Sequence, residues 1–211
     1  MNQLTVSLLK DINYDDAIET VSLRLNKIQK HELYFTPWSG YPYKPEVQFS
    51  IVHSGECIFL KYFVTEHSIR AAAGNINGAV WEDACVEFFV SFDDQGYYNL
   101  EFNCIGTALT GFGKEKGSRV RLEEAVIRKI KYGSYISNIE EERIHWELTV
   151  AVPLEVFAYH KLSPLSGRQC RANFYKCGDA LPQPHFVAWS NIVSPQPNFH
   201  LPQFFGTLLF E

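Results

Sequence analysis

The feature that most restricts this chain is a two-residue alternation of apolar side chains that returns in segment after segment. Glu46–His53 reads Glu-Val-Gln-Phe-Ser-Ile-Val-His and sets Val47, Phe49 and Ile51 on one side. Successive side chains of a strand point to opposite faces, so a strand gathers these three residues where a helix scatters them. Cys57–Thr65 is bulky throughout and suits a strand buried on both faces. Ser54-Gly55-Glu56 joins the two as a hairpin. A second hairpin pairs Cys85–Phe92 with Tyr97–Cys104 across Asp93-Asp94-Gln95-Gly96. Further candidate strands are Thr107–Phe112, Ala125–Tyr132, Arg143–Val152, Cys170–Cys177, Phe186–Asn191 and Gly206–Phe210. Helical signal is thin: Asp15 and Asp16 cap a helix reaching about Asn26, and Pro153 opens a single turn ending at Ala158. Many short strands punctuated by turns predict an all-β fold, a sandwich or a barrel, with a small N-terminal helix. No repeat or linker divides residues 1–211, which read as one domain. The one charge cluster, Asn138–Arg143, reads as a solvated loop.

Composition narrows the function classes. With 211 residues, 46% of them hydrophobic and 20% charged, the chain can bury a core without disulfide or metal staples. A net charge of −5 supplies no broad basic face for nucleic acid, and no apolar run has the ~18 residues of a membrane helix. No nucleic-acid or membrane partner is expected. No export signal is visible at the N-terminus, which makes the cytoplasm the default expectation. The five cysteines match no zinc spacing, and Cys85 and Cys104 read as small core residues. Cys170 and Cys177, seven apart on one strand, would stand roughly 23 Å apart at ~3.3 Å per residue, too far to bridge. No intramolecular disulfide is expected.

The densest polar constellation is Trp81-Glu-Asp83-Ala-Cys-Val-Glu87, followed by Tyr97-Tyr-Asn99-Leu-Glu101-Phe-Asn103. Alternation sets Glu87 on one face of its strand and Asn99, Glu101 and Asn103 together on the next. If the two polar faces coincide, they form a patch of acceptors and amides with Trp81 at its edge. Carboxylates and amides beside an aromatic plate suit a sugar ring, whose hydroxyls need paired donors and acceptors and whose C–H face packs on an aromatic. The same pattern also describes the solvated polar side of a sheet, with Trp81 plugging a loop.

Taken together, these blocks resemble the family 9 carbohydrate-binding modules. The similarity runs from Pro37-Trp38 and Tyr41–Phe49 through Phe63–Glu66, Trp81–Val90, Tyr97–Asn103 with Gly106, and Trp146–Pro153. It closes with Ala188-Trp-Ser190 and Asn198-Phe-His-Leu-Pro-Gln-Phe-Phe-Gly206. The resemblance makes the expected fold an antiparallel β-sandwich of jelly-roll type, and it implies non-catalytic carbohydrate binding with a sugar end held between two Trp side chains. Carried over residue by residue, it makes Trp81 and Trp189 the walls and Glu87 and Asn103 hydroxyl partners, with Asp83 and Glu101 beside them. Trp38 and Trp146 are then packing residues, and His200 a structural hydrogen-bonder. Glu101 stands where sugar-binding members carry an Arg, and Phe186 where they carry an amide. With that cation gone and Arg119 and Arg121 read as a solvated strand end, a neutral or basic sugar is the expected ligand. No cofactor is expected; family members carry structural calcium, for which Asp93 and Asp94 could supply oxygens without any calcium-loop motif. Two other readings stay open: a glycan hydrolase using Asp83, Glu87 and Glu101, and a scaffold of the same fold with a structural or protein-binding role.

Overall fold

The computed structural model describes residues 2–140 and 143–211. Its strands, in chain order, are β1 (Gln3–Leu8), β2 (His31–Glu32), β3 (Glu46–His53), β4 (Cys57–Glu66), β5 (Cys85–Asp93), β6 (Gly96–Asn103), β7 (Ala108–Gly113), β8 (Val120–Arg121), β9 (Lys131–Glu140), β10 (Arg143–Pro153), β11 (Gln169–Cys177), β12 (Phe186–Ala188) and β13 (Gly206–Phe210). The hydrogen-bonded order is β8-β7-β6-β5-β11-β13-β1-β3-β4-β10-β9, with β12 on β11 and β2 on β3. β1 is the corner of this path. Gln3–Val6 pair in parallel with β13, and Ser7 and Leu8 pair in parallel with β3. The other strand pairings among the described residues are antiparallel. The two halves of the path close on each other as a β-sandwich.

Alternation explains what lies between the halves. Val86, Phe88 and Val90 of β5, with Tyr98, Leu100 and Phe102 of β6, meet Phe49, Ile51, Leu60, Tyr62, Trp146 and Leu148 of the opposite half in one apolar cluster. Aromatic stacking bridges the layers: Phe174 lies 5.0 Å from Phe88 on one side and 3.9 Å from Phe49 on the other. Trp146 is wholly buried, and its indole N–H donates to Glu66.

Local readings are corrected in four places. The segment Ala125–Tyr132 is not one strand. Helix α2 covers Glu124–Ile127, and β9 begins only at Lys131. Ile127 and Ile130 both point inward, three apart, a helical spacing that the apparent two-residue alternation conceals. The N-terminal helix α1 covers Ile18–Leu25, and neither Asp15 nor Asp16 caps it. Asp16 instead accepts from Asn13 N–H and pairs with Arg24. β1, absent from the candidate strands, buries Leu4 and Val6 by its own alternation. Finally, β9 runs to Glu140 and β10 starts at Arg143, so the cluster Asn138–Arg143 is largely strand, with residues 141 and 142 outside the described residues.

The β6–β7 turn depends on Gly106, at φ +88° with the Tyr132 ring packed over it. A Cβ there would stand 2.1 Å from a ring carbon. Gly106→Ala should therefore lower stability by about 2–4 kcal/mol, combining a left-handed backbone with overpacking. Urea denaturation should show a lower midpoint with the slope unchanged.

Candidate functional site

The outer face of β5, β6 and β11 carries the polar patch. Glu87 stands directly opposite Glu101 in the β5–β6 register, and Cys177 of β11 is directly opposite Cys85 of β5. Glu87, Glu101 and Cys177 line a pocket on this face. One rim is Trp81, on a single 3₁₀ turn, Val80–Glu82. That turn is held from below: Asp179 N–H donates to the Trp81 carbonyl at 3.1 Å and Ala180 N–H to that of Glu82. Phe186 of β12 and Asn198, Phe199 and His200 from the segment before β13 also line the pocket. Phe199 is fixed by stacking on Tyr175 at 4.1 Å and 6°. Lys116 and Arg119 from the segment between β7 and β8, and Arg121 of β8, line it as well.

Three of the six candidate ligand residues therefore share one pocket, and three lie elsewhere. Trp189 is not a wall. It is 5% exposed and packs edge-on against Phe49 and Phe174 between the sheets. Its ring presses on Gly206, where a Cβ would lie 2.5 Å from it. The two-tryptophan clamp does not form, because the Ala188–Ser190 backbone turns this side chain inward. Asp83 is buried too, and serves the loop in front of it. Its carboxylate accepts from Arg70, Ala72 N–H, Ala73 N–H and Asn103 Nδ2. Burial alone would raise its pKa. The hydrogen bonds from Ala72, Asn103 and Ala73, with the Arg70 charge, outweigh that and hold it below the usual carboxylate range. Asn103 also spends its amide on structure, donating to Ala73 O and accepting from Thr107 N–H. Neither residue lines the pocket. With Asp83 so engaged, the three-carboxylate hydrolase loses one member.

A cation reaches the pocket from the segment between β7 and β8. Arg119 Nη1 lies 3.8 Å from Glu101 Oε1, and the Arg119 side chain is only 10% exposed. That Nη1 is buried and donates no hydrogen bond. Arg119 and Arg121 are thus pocket residues rather than a solvated strand end. The pocket holds Lys116, Arg119 and Arg121 against Glu87, Glu101 and Asp179, three formal charges of each sign. The expected preference for neutral or basic sugars loses its ground. The signal in the sequence was the spacing Lys116-x-x-Arg119-x-Arg121 just after a strand, which charge alone does not distinguish from a solvated edge.

Burial raises the pKa of Glu87, and the facing Glu101 adds to the shift. Burial also raises Glu101, partly offset by Arg119 and Arg121. Asp179 is raised to about 6, chiefly by burial. His200 is lowered to about 2 by burial and the neighbouring cations, while its Nδ1 shares a hydrogen bond with Tyr97 at 3.0 Å. The raised acids hold protons in the folded chain that the unfolded chain releases. Their stabilising contribution is complete below the unfolded values near 4 and is lost as pH rises through the folded ones. Glu87→Gln, which keeps an acceptor for the Cys177 thiol, should therefore gain on the order of 1 kcal/mol over the parent at pH 8 and almost nothing at pH 4. Melting temperatures across that range check this.

Asp93 gives its carboxylate to the β5–β6 turn and to His160, accepting from Gln95 N–H at 2.8 Å and bonding His160 Nε2 at 3.1 Å. All five cysteines are free and buried.

Comparison with known proteins identifies the class. The sequence profile of carbohydrate-binding family 9 matches residues 17–210, and the chain belongs to that family. It is 41% identical to a candidate carbohydrate-binding protein from Bacteroides uniformis, over 99% of both chains, with a TM-score of 0.92. It also shares its fold with a family 9 module from Caldicellulosiruptor kristjanssonii. The glucose complex of that module has a TM-score of 0.62 at 10% identity over 100% of this chain and 96% of that one. The cellotriose complex has a TM-score of 0.61 at 11% identity over 100% and 94%. None of the curated proteins matches the chain.

Proposed function

We propose that this protein binds carbohydrate without cleaving it, at the pocket between Trp81 and Phe199. Family membership supports carbohydrate binding in general. The observation that carries the particular site is Arg119: a buried guanidinium N–H without an acceptor, beside two carboxylates and under an aromatic rim. A buried donor left unpaired costs about 1–3 kcal/mol, which a ligand oxygen placed there would recover. In this reading the sugar ring lies on Trp81, and Phe199 or Phe186 takes the place assigned to Trp189. Hydroxyls then bond Glu87, Glu101 and Arg119, the raised carboxyls acting as donors or acceptors as the proton between them shifts.

Glucose and cellotriose, the sugars held by the Caldicellulosiruptor module, are the first probes, followed by a glycan array. Calorimetry on the ligand found should show one site. Arg119→Ala should weaken it at least about tenfold, the usual worth of a charged hydrogen bond. Unchanged affinity in Arg119→Ala, or no binding across the array, would refute the site.

A further inference from the structure

Beneath the pocket lies a group of side chains of which the proposed sugar site uses only Glu87. Cys85 and Cys177 face each other on β5 and β11, and Glu87 follows Cys85 by two residues on the same face. The two sulfurs and one Glu87 oxygen lie within 4.8 Å of one another, all three residues buried. Among the described residues this is the one cluster of three His, Cys, Asp or Glu with such convergence. The Cys177 thiol already donates to Glu87 Oε1 at 3.2 Å. We propose that Cys85, Cys177 and Glu87 form a binding site for a thiophilic divalent cation of the zinc type.

The geometry is close to what such an ion requires. At about 2.3 Å for Zn–S and 2.0–2.2 Å for Zn–O, neighbouring ligand atoms on one tetrahedral ion stand about 3.5–3.8 Å apart. Small side-chain rotations bring the three donors to that spacing. Two thiolates select against calcium and magnesium, which take oxygen ligands. Because Glu87 and Cys177 also line the pocket, the fourth position opens to it and takes a water. Ion entry displaces both thiol protons, and any proton on Glu87, to solvent. Because uptake releases protons, it should strengthen with pH. Two thiolates and a carboxylate against a divalent ion leave one negative charge, with the Arg119 guanidinium on the same pocket. This site stands whether or not a sugar binds above it.

The test is cobalt uptake by the metal-free protein, kept reduced with a phosphine. One equivalent of Co²⁺ should give thiolate-to-cobalt charge-transfer absorption and the visible bands of a tetrahedral ion, both removed by Zn²⁺. Cys85→Ala and Cys177→Ala should each abolish the signal. Cys57→Ala, altered on the other sheet, should keep it. If the two cysteine variants do not fold, Glu87→Gln serves in their place and should weaken uptake at least tenfold. Absence of the charge-transfer band in the parent protein overturns the proposal. So does a band that survives Cys177→Ala, that Cys57→Ala removes, or whose affinity Glu87→Gln leaves unchanged.

Discussion

Trp189→Ala is expected to lower stability by about 3–5 kcal/mol, the usual loss when a buried indole is truncated. The indole fills the space between Phe49, Phe174 and Gly206. Its removal leaves a cavity at the point where β1, β13 and the inner face of β11 meet. Chemical denaturation should show the loss, while the fraction that remains folded should bind ligand as the parent does. A clamp role for Trp189 would give the opposite result, with stability kept and binding lost. This one substitution therefore separates the packing role from the wall that the family resemblance implied.

The second large effect is at Asp83. Asp83→Ala leaves Ala72 N–H, Ala73 N–H and the Asn103 amide without their acceptor, at a cost of about 3–5 kcal/mol. Arg70 is half-buried and retains Glu82 at 3.8 Å, which softens the loss on that side. Asp83→Asn gives the pH dependence. The carboxylate pKa is lowered in the fold, so its contribution is present above the unfolded value near 3.9 and is lost as pH falls through the folded one. The stability gap between parent and Asp83→Asn should be full at pH 7 and should close in acid. The gap from Glu87→Gln should move the other way over a higher range. Melting curves of the two variants across pH separate a carboxylate that clamps a loop from one that floors a pocket.

The sandwich was legible because alternation records which face of each strand is buried. Val86/Phe88/Val90 and Tyr98/Leu100/Phe102 state their inner faces without help from the rest of the chain. β9 was less legible because it is an edge strand with Tyr132 and Tyr135 exposed, so little burial marks its pattern. The site was legible only in part, and for a physical reason. Glu87 and Glu101 share a face by local alternation, and their direct pairing follows from a hairpin of short turn. Whether Trp189 turns inward, or whether Arg119 reaches Glu101, depends on loops packed across the outer face. Asp83 illustrates the limit further. Its place in the family motif was visible, but its four donors come from residues 70–73 and 103, which only the folded chain brings together.

Trp81 can report sugar binding at the pocket directly, because it is the one tryptophan that is not buried. Trp38, Trp146 and Trp189 are all buried. A sugar ring settling on the pocket rim should change the emission of Trp81 and leave the other three unaltered. The measurement is a fluorescence titration of the parent, Trp81→Phe and Trp189→Phe with the sugar found by the array. A saturable change is expected in the parent and in Trp189→Phe, and it should disappear in Trp81→Phe. A change of equal size that persists in Trp81→Phe would contradict sugar binding at this pocket.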